Sequence, residues 1–171
     1  AKIAWKYLRK QIEITPSIIL HAHKILMLNQ PLLPSEKGYF RTVPVFIGGR
    51  EGMKAETLKF HIDDWCKAMN SIVPFEKSIS VMQVQRSQDL HIYYERIHPF
   101  VDGNGRTARA LATLLMFLDN YDIRKFFSLE EYFDENPMDY YLTLQAVSNQ
   151  LVLDNHERDL TPWLNYFIEG V

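Results

Sequence analysis

Apolar residues return every three or four positions in stretch after stretch of this chain, and that spacing admits one architecture readily, a packed set of amphipathic α-helices. The run ITPSIILHAHKILMLN shows the pattern with its start signal in place. Thr15 stands as N-cap, Pro16 occupies the first helical position, and Ile18, Ile19, Ile25 and Leu26 share a face. MKAETLKFHIDDWCKAM, SISVMQVQRSQDLHIYYERI, RTARALATLLMFLDN and DYYLTLQAVSNQ read the same way, and LTPWLNYFIEG repeats the Thr-Pro start with Thr161 and Pro162. One segment breaks the period. GYFRTVPVFIGG, from Gly38 to Gly49, is β-branched, aromatic and roughly alternating between glycines, which predicts a short extended or hairpin element. No period of repeat-protein length and no low-complexity linker interrupts the chain. Its 171 residues are therefore expected to form a single domain over residues 1–171, all-α with a short β-hairpin, and the missing initiator Met marks the sequence as a candidate fragment of a longer chain.

Charge and composition narrow the function classes. A formal charge of −2 gives no whole-surface attraction to nucleic acid or to an acidic membrane, so a polyanionic ligand has to be met by local charge. No apolar run is long enough to span a bilayer, and the start AKIAWKYLRK lacks the apolar core of a signal peptide. The single cysteine, Cys66, lies in a helix-like run where packing is the ordinary role, and one cysteine cannot close an internal disulfide. These features suit a cytoplasmic protein, or one delivered into a host cytosol, with no nucleic-acid partner.

HPFVDGNGRTAR, from His98 to Arg109, concentrates the chemistry. The helix before it must stop near Ile97, because Pro99 restricts His98 to extended or turn geometry. Gly103, Asn104 and Gly105 then predict a tight loop that empties into a helix starting at about Arg106. Such a junction leaves several backbone N–H groups pointing outward, and with the helix dipole they form an anion site. Arg106 and Arg109 fall on neighbouring positions of the first turn, where two guanidiniums suit phosphate oxygens. No Gly-Lys-Ser/Thr follows, so this is not a P-loop.

Asp102 sits oddly in an anion pocket unless a divalent cation accompanies the phosphates, and Mg²⁺ commonly takes one or two protein carboxylates and completes its shell with phosphate oxygens and water. His98, with an ordinary pKa of about 6.5, suits removal of a proton from an attacking group near neutral pH. Singly, a histidine after a helix, a Gly-Asn-Gly turn or an arginine pair is a common structural feature; together, chance explains them less well than a phosphate site does. Other histidines offer less. His21 and His23 are two apart and face different ways on a helix, His61 with Asp64 reads as a polar face, and His91 reads as packing near the loop.

The same residues resemble the signature of the Fic family, His-Pro-Phe-x-Asp/Glu-Gly-Asn-Gly-Arg-x-x-Arg, at every defined position. GYFRTVPVFIGG is similar to that family's β-hairpin flap, and RKFFSLEEYFDENPMDYYLTL and LTPWLNYFIEGV resemble its later helices, so the likeness covers most of the chain from Thr15. The resemblance implies a Fic-type helical bundle with a hairpin flap and a protein adenylyltransferase activity, which moves AMP from ATP to a Tyr, Thr or Ser hydroxyl of a target protein. It also implies the roles. His98 is the general base, Asp102 the Mg²⁺ ligand, and Gly103, Asn104 and Gly105 cradle phosphates that Arg106 and Arg109 neutralise. Phe100 anchors the loop in the core. Independently of the resemblance, an extended edge offers unpaired N–H and C=O groups, so a target segment is expected to dock along Thr42, Val43, Pro44, Val45 and Phe46 as an added strand, the alternative being a hairpin that merely caps the core.

Two departures qualify that expectation. Many relatives carry an inhibitory helix, Ser/Thr-x-x-x-Glu-Gly/Asn, but the residues four before Glu51-Gly52, Glu135-Asn136 and Glu169-Gly170 are Ile47, Glu131 and Asn165, so none fits. An inhibitory element then belongs to a segment outside this sequence, to an antitoxin-like partner, or to neither. The family is also chemically mixed, and removal of AMP, phosphoryl or other nucleotidyl transfer, and a catalytically idle regulatory binding module all stay open. Gly105, which is Lys in a kinase-acting relative, favours adenylyl transfer.

Overall fold

The computed structural model describes residues 2–47, 49–71, 91–118, 135–150, 159 and 161–169, and these divide into two compact units, 1–121 and 122–171. Residues 78–90, the start of the helix expected to end near Ile97, lie outside the described set, as does all of RKFFSLEEYF.

In the first unit the Pro16–Leu26 helix starts as its sequence dictates. Thr15 has extended backbone and its hydroxyl accepts the Ile18 N–H at 3.3 Å, with Pro16 at the first helical position, and the face carrying Ile18, Ile19, Ala22 and His23 is buried. The Leu58–Asn70 helix buries Leu58, Ile62, Trp65, Cys66 and Met69, one stripe of an amphipathic helix. Its last residue closes a long loop, since the Asn70 side chain accepts from the Ile14 N–H at 2.8 Å and donates to the Ile14 carbonyl at 2.7 Å. The Asn104–Leu118 helix is buried on nearly every side, with Ala108, Ala110 and Ala112 small enough to let neighbours approach, as befits the central helix of a bundle. The Lys2–Leu8 helix lies against it, with the Trp5 and Phe117 rings edge to face at 5.5 Å. Cys66 is buried in this core, and burial pushes its thiol up to about 12, which keeps it protonated and inert.

The hairpin expected from Gly38 to Gly49 is not formed over that stretch. Residues 38–45 are turn and irregular chain, and the strand pairing among the described residues is a minimal antiparallel pair, Phe46–Ile47 with Arg50–Glu51, in register Phe46↔Glu51 and Ile47↔Arg50. Pro44 supplies no N–H to a ladder, and the Arg41 side chain takes over carbonyls that a partner strand would otherwise bind.

The second unit contains the helices Pro137–Gln150 and Thr161–Glu169, joined by a ring cluster in which Tyr140 and Trp163 lie edge to face at 5.7 Å. The Thr161 start differs from the Thr15 start. Thr161 is itself helical, and its N–H is capped by the Asp159 carboxylate at 3.0 Å, whose charge also suits the positive end of the helix. No helix among the described residues is long and apolar enough to cross a membrane.

Candidate functional site

The motif loop is built from its ends inward. Residues 91–97 are helical, and the His98 N–H still reaches the Tyr94 carbonyl at 3.0 Å. His98 then turns the chain with φ +48, a left-handed conformation rather than the extended or ordinary turn geometry expected ahead of Pro99. Phe100 is wholly buried and stacks on His23, the two rings 3.7 Å apart and nearly parallel. Four residues on, Asn104 clamps Phe100 from both sides: its side-chain oxygen accepts the Phe100 N–H at 2.9 Å and its amide donates to the Phe100 carbonyl at 2.8 Å. Asn104 thus spends its side chain inside the loop, leaving its main-chain N–H for any ligand. The helix begins at Asn104 itself, two residues before the expected Arg106, because this clamp already sets helical geometry there.

Gly103 fits where no other residue would. Its φ is +81, and an added Cβ would lie 2.5 Å from Met27 Sδ and 3.2 Å from His23 Nε2. His23 is therefore a strut rather than packing alone. Fully buried, it accepts the Gly38 N–H at Nδ1, 2.9 Å away, which leaves Nε2 to donate to the Asp102 carbonyl at 2.9 Å. Burial lowers its pKa, so the neutral ring is the one the fold holds.

On the open side, Thr107 closes the first turn, its N–H and hydroxyl both donating to the Gly103 carbonyl at 3.0 and 2.8 Å. The N–H groups of Asn104, Gly105 and Arg106 have no main-chain acceptor among the described residues, so three donors converge at the positive end of a buried helix. Arg106 and the exposed Asp102 are linked by a loose 3.3 Å pair. Arg109 is half-buried, and its charge opposes protonation of His91 and favours ionisation of Glu95. Among the described residues no three His, Cys, Asp or Glu side chains gather to enclose a metal. One exposed carboxylate beside an anion site does fit Mg²⁺, which would draw its remaining ligands from phosphate oxygens and water.

His98 is mostly buried, and its Nδ1 lies 3.2 Å from the Glu95 carbonyl, an acceptor, so Nδ1 carries the proton and Nε2 the lone pair. Its pKa is lowered, by burial first; the Glu95 carbonyl and Asp102 pull the other way, and the Arg41 guanidinium adds to the lowering. The imidazole is accordingly a free base at neutral pH. Beside it the Glu95 carboxyl, 3.7 Å from Nδ1 at one oxygen, is pushed up to about 7 by burial against the pull of Arg109.

Of the segment expected to dock a target, Thr42, Val43, Pro44 and Phe46 are exposed and Val45 is half-buried. It is fastened to the motif at one end, where the Arg41 N–H donates to the Pro99 carbonyl at 2.9 Å. The sequence assigns no role to Arg41, and His23 stands in it only as one of two helix histidines that face different ways. A lone charge in the apolar run GYFRTVPVF was the available signal for Arg41; His23 offered only a histidine on the apolar face of a helix. The other histidines have separate roles: His21 is exposed against Tyr7, His61 meets the Tyr93 hydroxyl at 3.4 Å, and His91 is buried against the Ala108 backbone.

The Fic/DOC family pattern matches residues 13–116, all within the first unit. The chain is 25% identical over 173 aligned positions to protein adenylyltransferase fic-1 of Caenorhabditis elegans, covering 88% of this chain and 33% of that protein. It is 32% identical over 123 positions to protein adenylyltransferase Fic of Drosophila grimshawi, covering 70% of this chain and 24% of that one. This sequence thus spans a third or less of these relatives' length. A solved structure of C. elegans Fic-1 superposes over 98% of this chain and 45% of its own with a TM-score of 0.71 at 25% identity. A Fic family protein from Desulfovibrio desulfuricans shares the fold over 98% of this chain, with a TM-score of 0.68 at 22% identity. With the motif loop, the Pro16–Leu26 and Leu58–Asn70 helices and most of the central helix inside the matched region, this chain belongs to the Fic/DOC family.

Proposed function

We propose that the chain is a protein adenylyltransferase that moves AMP from ATP to a hydroxyl of a target protein. The observation that carries the reading is the pairing of a neutral imidazole, His98, with a helix N-terminus offering the N–H groups of Asn104, Gly105 and Arg106. A base with a free Nε2 and an adjacent anion site are what transfer from a polyphosphate to a hydroxyl requires. In the step, His98 Nε2 takes the hydroxyl proton as the oxygen attacks the α-phosphorus, the bond from that phosphorus to the bridging oxygen breaks, and pyrophosphate leaves. The N–H groups of residues 104–106 hold phosphate oxygens, and Arg106 and Arg109 balance the charge of the departing group. Mg²⁺ held at Asp102 would supply further neutralisation of the phosphates. The target rests along residues 42–46.

Incubation with ATP labelled at either end tests this. Label should pass to protein from α-labelled ATP, not from γ-labelled ATP, and EDTA should stop it. Label from the γ position alone would assign kinase chemistry, and label from neither would leave a binding module or a reaction with another donor.

A further inference from the structure

Arg41 is 3% exposed, and among the described residues no carboxylate pairs with it. Every recorded bond of its side chain goes to a main-chain carbonyl: Nε to His98 at 2.7 Å, one terminal nitrogen to Val43 at 2.9 Å, and the other to Met53 and, at 3.5 Å, to Ile97. Burying a cation without a counter-anion is costly, and an apolar side chain of similar volume would fill the space at less expense. The arrangement therefore calls for an explanation beyond packing.

The partners supply one. His98 holds a left-handed backbone that L-residues seldom adopt, and such a conformation persists only when its surroundings fix it. Its N–H is fixed by Tyr94 and its carbonyl by Arg41, while its ring is fixed by the Glu95 carbonyl. The rest of the same planar group grips Val43 and Met53, on either side of the Phe46–Ile47/Arg50–Glu51 pair.

We propose that Arg41 is a positioning residue that locks His98 and the 42–53 segment to each other, so that a hydroxyl on a docked target meets Nε2 at a fixed separation. The role rests on the adenylyltransferase reading for its consequence, though not for its geometry. A lysine cannot replace it, because a point charge on a flexible stem lacks the fork that reaches several carbonyls. The charged groups facing His98 are Arg41, Asp102 and Glu95, so removing the Arg41 charge alone has a calculable direction.

Arg41→Lys and Arg41→Met separate fork from charge. By NMR titration of the His98 ring, assigned with a His98→Asn variant, Arg41→Met should raise its pKa and Arg41→Lys should leave it near the wild-type value. Label transfer from α-labelled ATP into lysate protein, measured below each variant's melting midpoint, should fall in both, on the order of 10²-fold for a base displaced by about 1 Å. The KM for ATP should hold. Wild-type transfer in Arg41→Lys would overturn the proposal, as would a loss matched by an equal rise in the KM for ATP. An unmoved His98 titration in Arg41→Met would overturn it too. If wild type itself transfers no label, the adenylyltransferase reading fails, while the titration still judges whether Arg41 sets His98. Should Arg41→Met not fold, Arg41→Lys decides through transfer alone.

Discussion

His98 carries two demands at once, since it must present a neutral ring and hold φ +48. Alanine removes the ring but also tolerates the left-handed region poorly, so a drop in activity would mix chemistry with strain. Asparagine visits that region more readily. His98→Asn should therefore keep the melting temperature and the ATP affinity close to wild type while transfer falls by about 10²–10⁴-fold, the usual cost of a lost general base. More than a tenth of wild-type transfer at saturating ATP would show that another group takes the proton. His98 and Gly103 could be singled out from the sequence because they stand among other chemistry-bearing residues within one short run. Arg41 and His23 could not, for a physical reason: their partners are main-chain carbonyls and N–H groups, Arg41 bonding 57 residues away and His23 reaching Asp102 across 79. Every residue has such groups, so no spacing of side chains betrays the bond.

At the scale of elements, helices were legible wherever a stripe of apolar residues coincided with a start signal, as at Thr15-Pro16. The extended segment was not, because alternation describes a chain lying against a surface as well as a chain in a ladder, and only the contacts of Arg41 distinguish them. The short pair that does form still bears on docking. The Gly52 N–H donates to the Val45 carbonyl at 2.8 Å, and antiparallel pairing alternates hydrogen-bonded and open positions, so Phe46 opposite Glu51 turns its own N–H and carbonyl outward. Phe46 is also 73% exposed. Phe46→Pro removes an outward donor without breaking the internal pair, whereas Phe46→Ala removes only the ring. If a target adds as a strand, Phe46→Pro should depress protein labelling well beyond Phe46→Ala, with ATP affinity unchanged in both. Equal effects would assign recognition to the side chain, and a parallel fall in ATP affinity would place the segment in the nucleotide pocket.

Across the first unit, protons couple the site to stability. Burial holds three imidazoles neutral: His91, whose pKa is lowered to about 3, and His23 and His98, both lowered from 6.5. An unfolded chain protonates all of them near 6.5, so it binds more protons than the fold as pH drops. Their contribution is complete above that value and is lost as pH falls below it, continuing toward 3 for His91. Glu95 runs the other way. Raised from 4.5 to about 7, it costs stability above 7 and returns it on acidification toward 4.5. Among the described residues His91 and Glu95 oppose each other between pH 6.5 and 4.5, and the lowered His23 and His98 tip the balance to a net loss, with Asp159, exposed and lowered from 3.8, outside that window. Melting temperature should therefore decline as pH falls through this range. His91→Gln keeps an amide donor for the Ala108 backbone but cannot take up a proton in either state, so its profile should be shallower than wild type over the same interval. A melting temperature that rises from pH 7 to 5 would mean Glu95 outweighs the histidines, and an unchanged slope in His91→Gln would mean that His91 is not held neutral by the fold.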